Sequence, residues 1–244
     1  MKKDVKISPE LDYILCSINH YLNPDEPDNY RIKASTGIDW VNVVRLSKMH
    51  GLTNLLYLSL KGIPENTTDP DLLDQLKSFY VSNSKKNLYL TARLIQIISM
   101  LEQSGISAIA FKGPSQSQAL YSDIGIRTFS DLDIFVDKNT VLNALELFKE
   151  QGYLLIHPIK QSIIKKYINV ENFFAIQSPC GTVTIDLHWE LSGRYSLMPL
   201  YPQKLGSVHT IKLLNRRITV LNNEMMLLYL CIHATSHCWD KLEA

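Results

Sequence analysis

The chain has no Cys-x-x-Cys pair, no long apolar run and almost no charge excess, and each shortage removes a class of protein. Its four cysteines, Cys16, Cys180, Cys231 and Cys238, form no dense framework, so a reduced, cytoplasmic protein is expected. No stretch approaches the apolar length of a membrane span, and the opening MKKDVKISPELDYILCSI is broken by charges and by Pro9, which argues against a secretory signal core. With 25 Lys and Arg against 24 Asp and Glu, the net charge of +1 gives no broad basic surface for duplex nucleic acid. Only a local patch, Lys160, Lys165 and Lys166, offers to attract phosphate. What is present is ordinary globular composition: 45% hydrophobic and 20% charged residues over 244 positions, enough to bury the core of one large or two modest domains.

The densest chemistry lies between Ala108 and Asp137, AIAFKGPSQSQALYSDIGIRTFSDLDIFVD. Ala108–Lys112 reads as a short buried strand, Gly113–Pro114 as a break, Ser115–Tyr121 as two helical turns and Ser130–Val136 as a second strand. Strand side chains alternate, so Asp131 and Asp133 share one face while Leu132, Ile134 and Val136 share the other. Two carboxylates about 6–7 Å apart at their Cα atoms repel unless a cation neutralises them. An all-oxygen ligand set suits Mg²⁺ or Mn²⁺, which leave further positions to water and substrate phosphates. The same Asp-x-Asp also suits a solvated edge strand.

Before this stretch the chain reads as helical. Ser8-Pro9-Glu10 opens a first helix that ends near Tyr21, with Leu11, Ile14, Leu15 and Ile18 on one face. A polar loop at Asn23–Asn29 leads to two short helices, Asp39–Met49 and Leu52–Leu60, and a second loop at Pro64–Asp69 leads to a long helix, Asp71–Gln103, capped by Gly105. Its apolar stripe is Leu90, Leu94, Ile97, Ile98 and Leu101.

After the central stretch, Thr140–Gln151 reads as a helix capped by Asp137, Tyr153–His157 as a strand, Ile159–Tyr167 as a short basic helix and Glu171–Gln177 as a strand. Ser178-Pro179-Cys180-Gly181 then forms a tight turn into the strand Thr182–Trp189. In TVTIDLHW, Val183, Ile185, Leu187 and Trp189 point to the core and Thr184, Asp186 and His188 to the polar face. The hairpin is expected to bring Asp186 beside Asp131 and Asp133, giving three carboxylates in the arrangement used for two-metal phosphoryl chemistry. A proline-bearing connection at Pro199 and Pro202, a strand at Ile218–Leu221 and a helix from Asn222 to about Trp239 complete the chain, and Met225–Ile232, apolar all round, predicts a buried helix.

Lys112-Gly113, Arg127 shortly before Asp131-Leu132-Asp133, Ile185-Asp186-Leu187-His188-Trp189 and His233-x-x-x-His237-x-Trp239 together resemble the uncharacterised bacterial nucleotidyltransferase family of the DNA polymerase β-like superfamily. The resemblance covers residues 85–242. It implies a mixed α/β nucleotidyltransferase core, and with the residue pattern the expected fold is α+β: a helical N-terminal region over 1–104, a small mixed sheet with flanking helices as the core over 105–192, and a C-terminal connection, strand and buried helix over 193–244. It also implies transfer of a nucleoside monophosphate from an NTP without identifying the acceptor; ATP is the expected donor and a hydroxyl of a small molecule or protein the expected acceptor. Asp131, Asp133 and Asp186 would then be the catalytic metal ligands for Mg²⁺ or Mn²⁺, with Asp186 nearer the attacking hydroxyl.

Lys112, Gly113, Ser115 and Arg127 are the candidate phosphate contacts, Lys112 as a point charge and Arg127 as a planar fork, although both cations also suit structural ion pairs with the aspartates. His188 is a candidate on the substrate side, or a histidine held at a strand end. The resemblance has departures: the 17 residues between Gly113 and Asp131 exceed the usual superfamily gap, and Pro114 follows Gly113 where superfamily members usually carry Ser or Gly, proline offering no N–H to phosphate. That weakened turn leaves open a binding module, antitoxin-like or scaffolding, that keeps the fold without turnover. A metal-dependent phosphohydrolase could use the same carboxylates, but the Lys-Gly turn and Arg127 favour the transferase. His233 and His237 have a metal-capable i, i+4 spacing but no third ligand in the sequence pattern.

Overall fold

The structure is a computed structural model that describes residues 7–23, 37–61, 70–192, 202, 206–236 and 238. The described chain divides into two compact units, one containing residues up to Lys85 together with Gly125–Arg127, the other Lys86–Ile124 and residues from Thr128 onward. The loops expected at Asn23–Asn29 and Pro64–Asp69 lie almost entirely outside the described residues, as do His237, Trp239 and Pro199.

The first unit is helical. Helix α1 (Pro9–Leu22) starts where Ser8 Oγ accepts the Leu11 N–H at 3.2 Å. Helix α2 (Trp40–Met49) is capped by Asp39, whose carboxylate accepts from the N–H groups of Val41 and Asn42. Helix α3 (Thr53–Leu60) is buried on nearly every side. It buries Asn54 as well, whose amide donates to the Ile126 carbonyl at 2.8 Å. In the N-terminal part of the long helix α4 (Pro70–Gln103), Asn83 likewise donates to the carbonyls of Gly125 and Arg127, at 2.8 and 3.0 Å. Segment 125–127 forms no strand or helix, and these amides hydrogen-bond its carbonyls.

The second unit is built on one seven-stranded mixed sheet, in the order β3-β4-β5-β2-β1-β7-β6. Its strands are β1 (Ala108–Ala110), β2 (Asp131–Val136), β3 (Leu154–Leu155), β4 (Phe173–Gln177), β5 (Thr184–His188), β6 (Val208–Leu213) and β7 (Arg216–Leu221). Pairings are antiparallel except β1 with β7 and β2 with β5. Helices α5 (Gly113–Tyr121), α6 (Val141–Glu150), α7 (Ile164–Val170) and α8 (Asn223–Ser236) connect or flank these strands. Leu90, Leu94, Ile97, Ile98 and Leu101 of α4 form one buried cluster with Leu132, Ile134 and Val136 of β2 and Ile185 and Leu187 of β5. One sheet face is therefore closed by apolar packing, as the alternation in both strands predicts. No helix among the described residues is long and apolar enough to cross a membrane.

Several elements differ from the sequence expectation. Lys112 caps α5 rather than ending β1, and the Tyr153–His157 strand contracts to Leu154–Leu155, the pair in register with β4. The basic helix splits into a 3₁₀ turn at Gln161–Ile163 and α7. Asp137 organises the turn before α6, accepting the Asn139 N–H at 2.8 Å, while Thr140 occupies the cap position. Strand β6 was not expected; it pairs with β7 through a two-residue turn in which Leu214 adopts φ +52°. Helix α8 is not buried all round, since Leu227 and Leu228 are exposed while Met225, Tyr229 and Ala234 are buried. An all-apolar pattern reports composition, and only the packing partners decide which side of the helix is covered.

Candidate functional site

The second face of strands β2 and β5 is polar, and their parallel register sets it out in pairs. Asp131 stands opposite Thr184, Asp133 opposite Asp186, and Phe135 opposite His188. The antiparallel hairpin of β4 and β5 puts Ala175 beside Asp186 and Phe173 beside His188 on the far side. Its turn closes with the Gly181 N–H donating to the Ser178 carbonyl at 2.9 Å and the Val183 N–H donating to Ser178 Oγ at 3.1 Å. This turn fixes β5 in the register that aligns Asp186 with Asp133.

Lys112 reaches the same face from the junction of β1 and α5. The Phe111 N–H donates to the Asp133 carbonyl at 3.4 Å, and Gly113 then turns with φ +53°, a conformation that favours glycine. The buried Ser115 hydroxyl donates to the Lys112 carbonyl at 2.8 Å, so it braces the turn rather than presenting a free donor to the carboxylate face. Lys112 Nζ lies 3.4 Å from Asp133 Oδ1 and 5.2 Å from the centroid of the Tyr229 ring. An ammonium over an aromatic face gains from the ring quadrupole.

Asp133 is almost wholly buried, and its Oδ1 also lies 3.3 Å from His188 Nε2. That approach is close but lacks hydrogen-bond geometry, and both ring nitrogens of His188 are buried without a hydrogen-bond partner. The imidazole is instead held by aromatic packing, stacked on Phe173 at 5.1 Å and meeting the edge of Phe111 at 5.1 Å. Phe111 also packs on Tyr229, and Tyr229 stacks on His233 at 5.7 Å. His233 thus belongs to an aromatic row; its i, i+4 partner His237 lies outside the described residues.

Electrostatics separate the three aspartates. Burial pushes the Asp186 carboxyl up to about 6, with Asp133 adding to the rise and His188 opposing it. Burial and then Asp133 also raise Asp131. For Asp133, burial pushes upward but the neighbouring His188 and Lys112 outweigh it, so its carboxyl is held below the ordinary range. Burial works against the Lys112 ammonium, yet Asp133 and Tyr229 outweigh that penalty and raise its pKa above the usual lysine value. Burial takes the Tyr229 phenol up to about 12, which keeps it protonated at neutral pH. Asp133 and Lys112 are thus a settled ion pair, while Asp131 and Asp186 carry charge less readily.

Ligand atoms of Asp133, Asp186 and His188 lie within 4.8 Å of one another, close enough to hold one metal ion. Two carboxylate oxygens and an imidazole nitrogen without a hydrogen-bond partner are a donor set that could hold a divalent metal ion. Asp131, at the half-buried start of β2, stands outside this group, and His188 takes a place in it that was expected for Asp131. The structure thus brings Asp131, Asp133, Asp186, His188 and Lys112 to one face, with Gly113 and Ser115 shaping the turn beneath Lys112. Arg127 belongs to the other compact unit, where its carbonyl accepts from Asn83. Phe111, Phe173 and Tyr229 escaped the sequence reading. The one signal for Tyr229 was a polar-tipped aromatic four residues before His233 in an otherwise apolar helix.

A search of curated proteins finds no match. The model of a family described as uncharacterised nucleotidyltransferase does match, over residues 36–243, a span that contains every residue of this face. With Asp-x-Asp and a third aspartate in register on adjacent parallel strands, the chain belongs to the uncharacterised nucleotidyltransferase family.

Proposed function

We propose that the protein is a metal-dependent nucleotidyltransferase that moves a nucleoside monophosphate from an NTP, ATP being the expected donor, to a hydroxyl of a small molecule or protein. The observation that carries this reading is the Asp133–Asp186 pair, opposite one another across β2 and β5 on the face that also carries Asp131, in a chain of a nucleotidyltransferase family. Asp131, Asp133 and Asp186 would hold divalent cations, with His188 at hand as a nitrogen donor. Bound there, Mg²⁺ or Mn²⁺ would polarise phosphate oxygens and lower the pKa of an attacking hydroxyl.

The protein's own groups divide the remaining work. Lys112 is the cation nearest the carboxylates and supplies a point charge for triphosphate oxygens. Asp186, across from Asp133 on the adjacent strand, would take the proton from the acceptor hydroxyl as it attacks. Asp133, buried and paired, keeps its charge throughout and serves as the fixed ligand. The aromatic row of Phe111, Phe173 and Tyr229 confines these charges in a low-dielectric wall, which strengthens each electrostatic contact.

The test is incubation of the full chain with each α-labelled NTP, Mg²⁺ or Mn²⁺, and a cell extract. Transfer of label to a product with release of pyrophosphate is expected; release of orthophosphate would point to a phosphohydrolase instead. Nucleotide binding without turnover would favour the binding module, a reading supported by Pro114, which leaves the turn one N–H short.

A further inference from the structure

One contact on this face goes further, provided the face is a metal–nucleotide centre as proposed. Lys112 Nζ and His188 Nε2 approach the same atom, Asp133 Oδ1, at 3.4 and 3.3 Å. Asp133 also belongs to the one trio of His, Cys, Asp or Glu side chains, among the described residues, whose ligand atoms are close enough to share a cation. The position a metal would take beside Asp133 is therefore already neutralised by an ammonium. Two cations within a few ångströms of one carboxylate oxygen repel strongly where water is scarce.

Lys112 is not a surface side chain resting there by chance. Its side chain is 20% exposed against 3% for Asp133, and its ammonium lies over the Tyr229 ring. Its backbone is held by the Ser115 hydroxyl and by the left-handed turn at Gly113, and the Phe111 N–H ties the same segment to Asp133. With that backbone held, any movement of the ammonium from a carboxylate to a phosphate oxygen would fall to the flexible four-carbon stem.

We infer that Lys112 is a built-in counter-cation that closes Asp133 to a free divalent ion, and that nucleotide phosphates open the position by drawing the ammonium away. Metal and nucleotide then bind as partners. Each raises the affinity for the other, because the group that excludes the ion is the group that grips the phosphates. Free nucleotide-independent metal is kept out, and with it any ion that arrives without a substrate.

The probe is Mn²⁺ alone, its binding to the folded full chain followed by the electron paramagnetic resonance of free Mn²⁺. Lys112→Met is expected to bind Mn²⁺ about tenfold or more tightly than wild type, whereas Lys112→Arg, which keeps the charge, should stay close to wild type. Adding Asp133→Asn to Lys112→Met should remove the gained site. With a non-hydrolysable α,β-methylene NTP present, the order should reverse, wild type then holding Mn²⁺ more tightly than Lys112→Met. If Lys112→Met does not fold by circular dichroism, Lys112→Gln carries the same comparison and the same threshold. Equal Mn²⁺ affinity of wild type and the neutral variant would overturn the exchange while leaving the metal site standing. No Mn²⁺ binding by either protein, even with the nucleotide analogue, would bring down the metal reading of the face together with it.

Discussion

Strands β2 and β5 have two faces built from alternate residues of the same backbone, and the two faces obey opposite rules. On one, Leu132, Ile134, Val136, Ile185 and Leu187 are buried against α4 with no polar group to satisfy. On the other, Asp133 and His188 are buried nearly as deeply, but amid charge. Burial on the first face stabilises the fold in proportion to area. Burial on the second disfavours the charged carboxylates of Asp131 and Asp186, and Asp133 keeps its charge only because Lys112 and His188 are beside it. The difference teaches that the sheet holds these carboxylates in an unfavourable setting that the opposite face can sustain.

Substitutions that separate activity from stability sharpen this contrast. The largest effect is expected at Asp133. Asp133→Asn should cut NTP turnover by about a thousandfold or more, roughly 4 kcal/mol of barrier, and should weaken metal-dependent nucleotide binding. It should also destabilise the metal-free fold by about 2 kcal/mol, because the mostly buried Lys112 ammonium loses its partner. Repulsion among three aspartates would by itself predict no loss of stability here; the ion pair with Lys112 reverses that expectation. Turnover with the native acceptor, nucleotide affinity and urea unfolding measure all three. Wild-type turnover in this variant would remove the carboxylate face from catalysis.

Next comes the apolar face. Leu187→Ala should destabilise by about 3 kcal/mol in urea unfolding, through lost burial and a residual cavity. Turnover per folded molecule should stay near wild type. A loss of turnover as severe as that of Asp133→Asn, at a temperature where the variant is folded, would mean that the two faces are not separable.

Asp186 offers a test in pH. Its folded carboxyl, near 6, lies above the ordinary unfolded value of about 3.9, so the folded state favours the protonated form. The stability this contributes is fully present below about pH 4 and is lost as pH rises through about 6. In metal-free protein, Asp186→Asn should abolish that fall, so its stability advantage over wild type should grow between those two values and then level. Nucleotide binding should persist in this variant while transfer slows, since the proton acceptor is gone. A difference in stability that does not change with pH would show that Asp186 titrates normally.

The smallest effect is expected at Asp131. Its raised carboxyl and half-exposed position predict that Asp131→Asn leaves the thermal midpoint unchanged or slightly higher in the absence of metal. A drop of several degrees would mark Asp131 as a structural partner and narrow the reactive group to Asp133, Asp186 and His188.

Much of this arrangement was legible before any coordinates. The Ser8 cap, the stripe along α4, the turn at Ser178–Gly181 and the two-faced strands were all visible, because each depends on residues within a turn or two of one another. Strand β6 was missed although Val208–Leu213 is rich in β-branched residues, since the polar residues in it obscure the alternation and Leu214–Asn215 lacks a glycine to mark the turn. The exposure of Leu227 and Leu228 was misread because an apolar helix carries no local sign of which side finds a partner.

The sequence by itself determined that Asp131, Asp133, Asp186 and His188 would share the strand faces opposite Leu132, Ile134, Ile185 and Leu187, since side-chain direction in a strand follows from the backbone's period of two. It could not decide which of them would differ. Asp131 and Asp133 are equivalent in the pattern, yet one starts the strand half-exposed and the other sits buried between Asp186, His188 and Lys112. That distinction comes from the parallel register of β2 with β5 and from the turn at Gly113 that delivers Lys112. Both are long-range alignments between segments, and the charge a carboxylate carries depends on the depth and neighbours such alignments create, which no local pattern encodes.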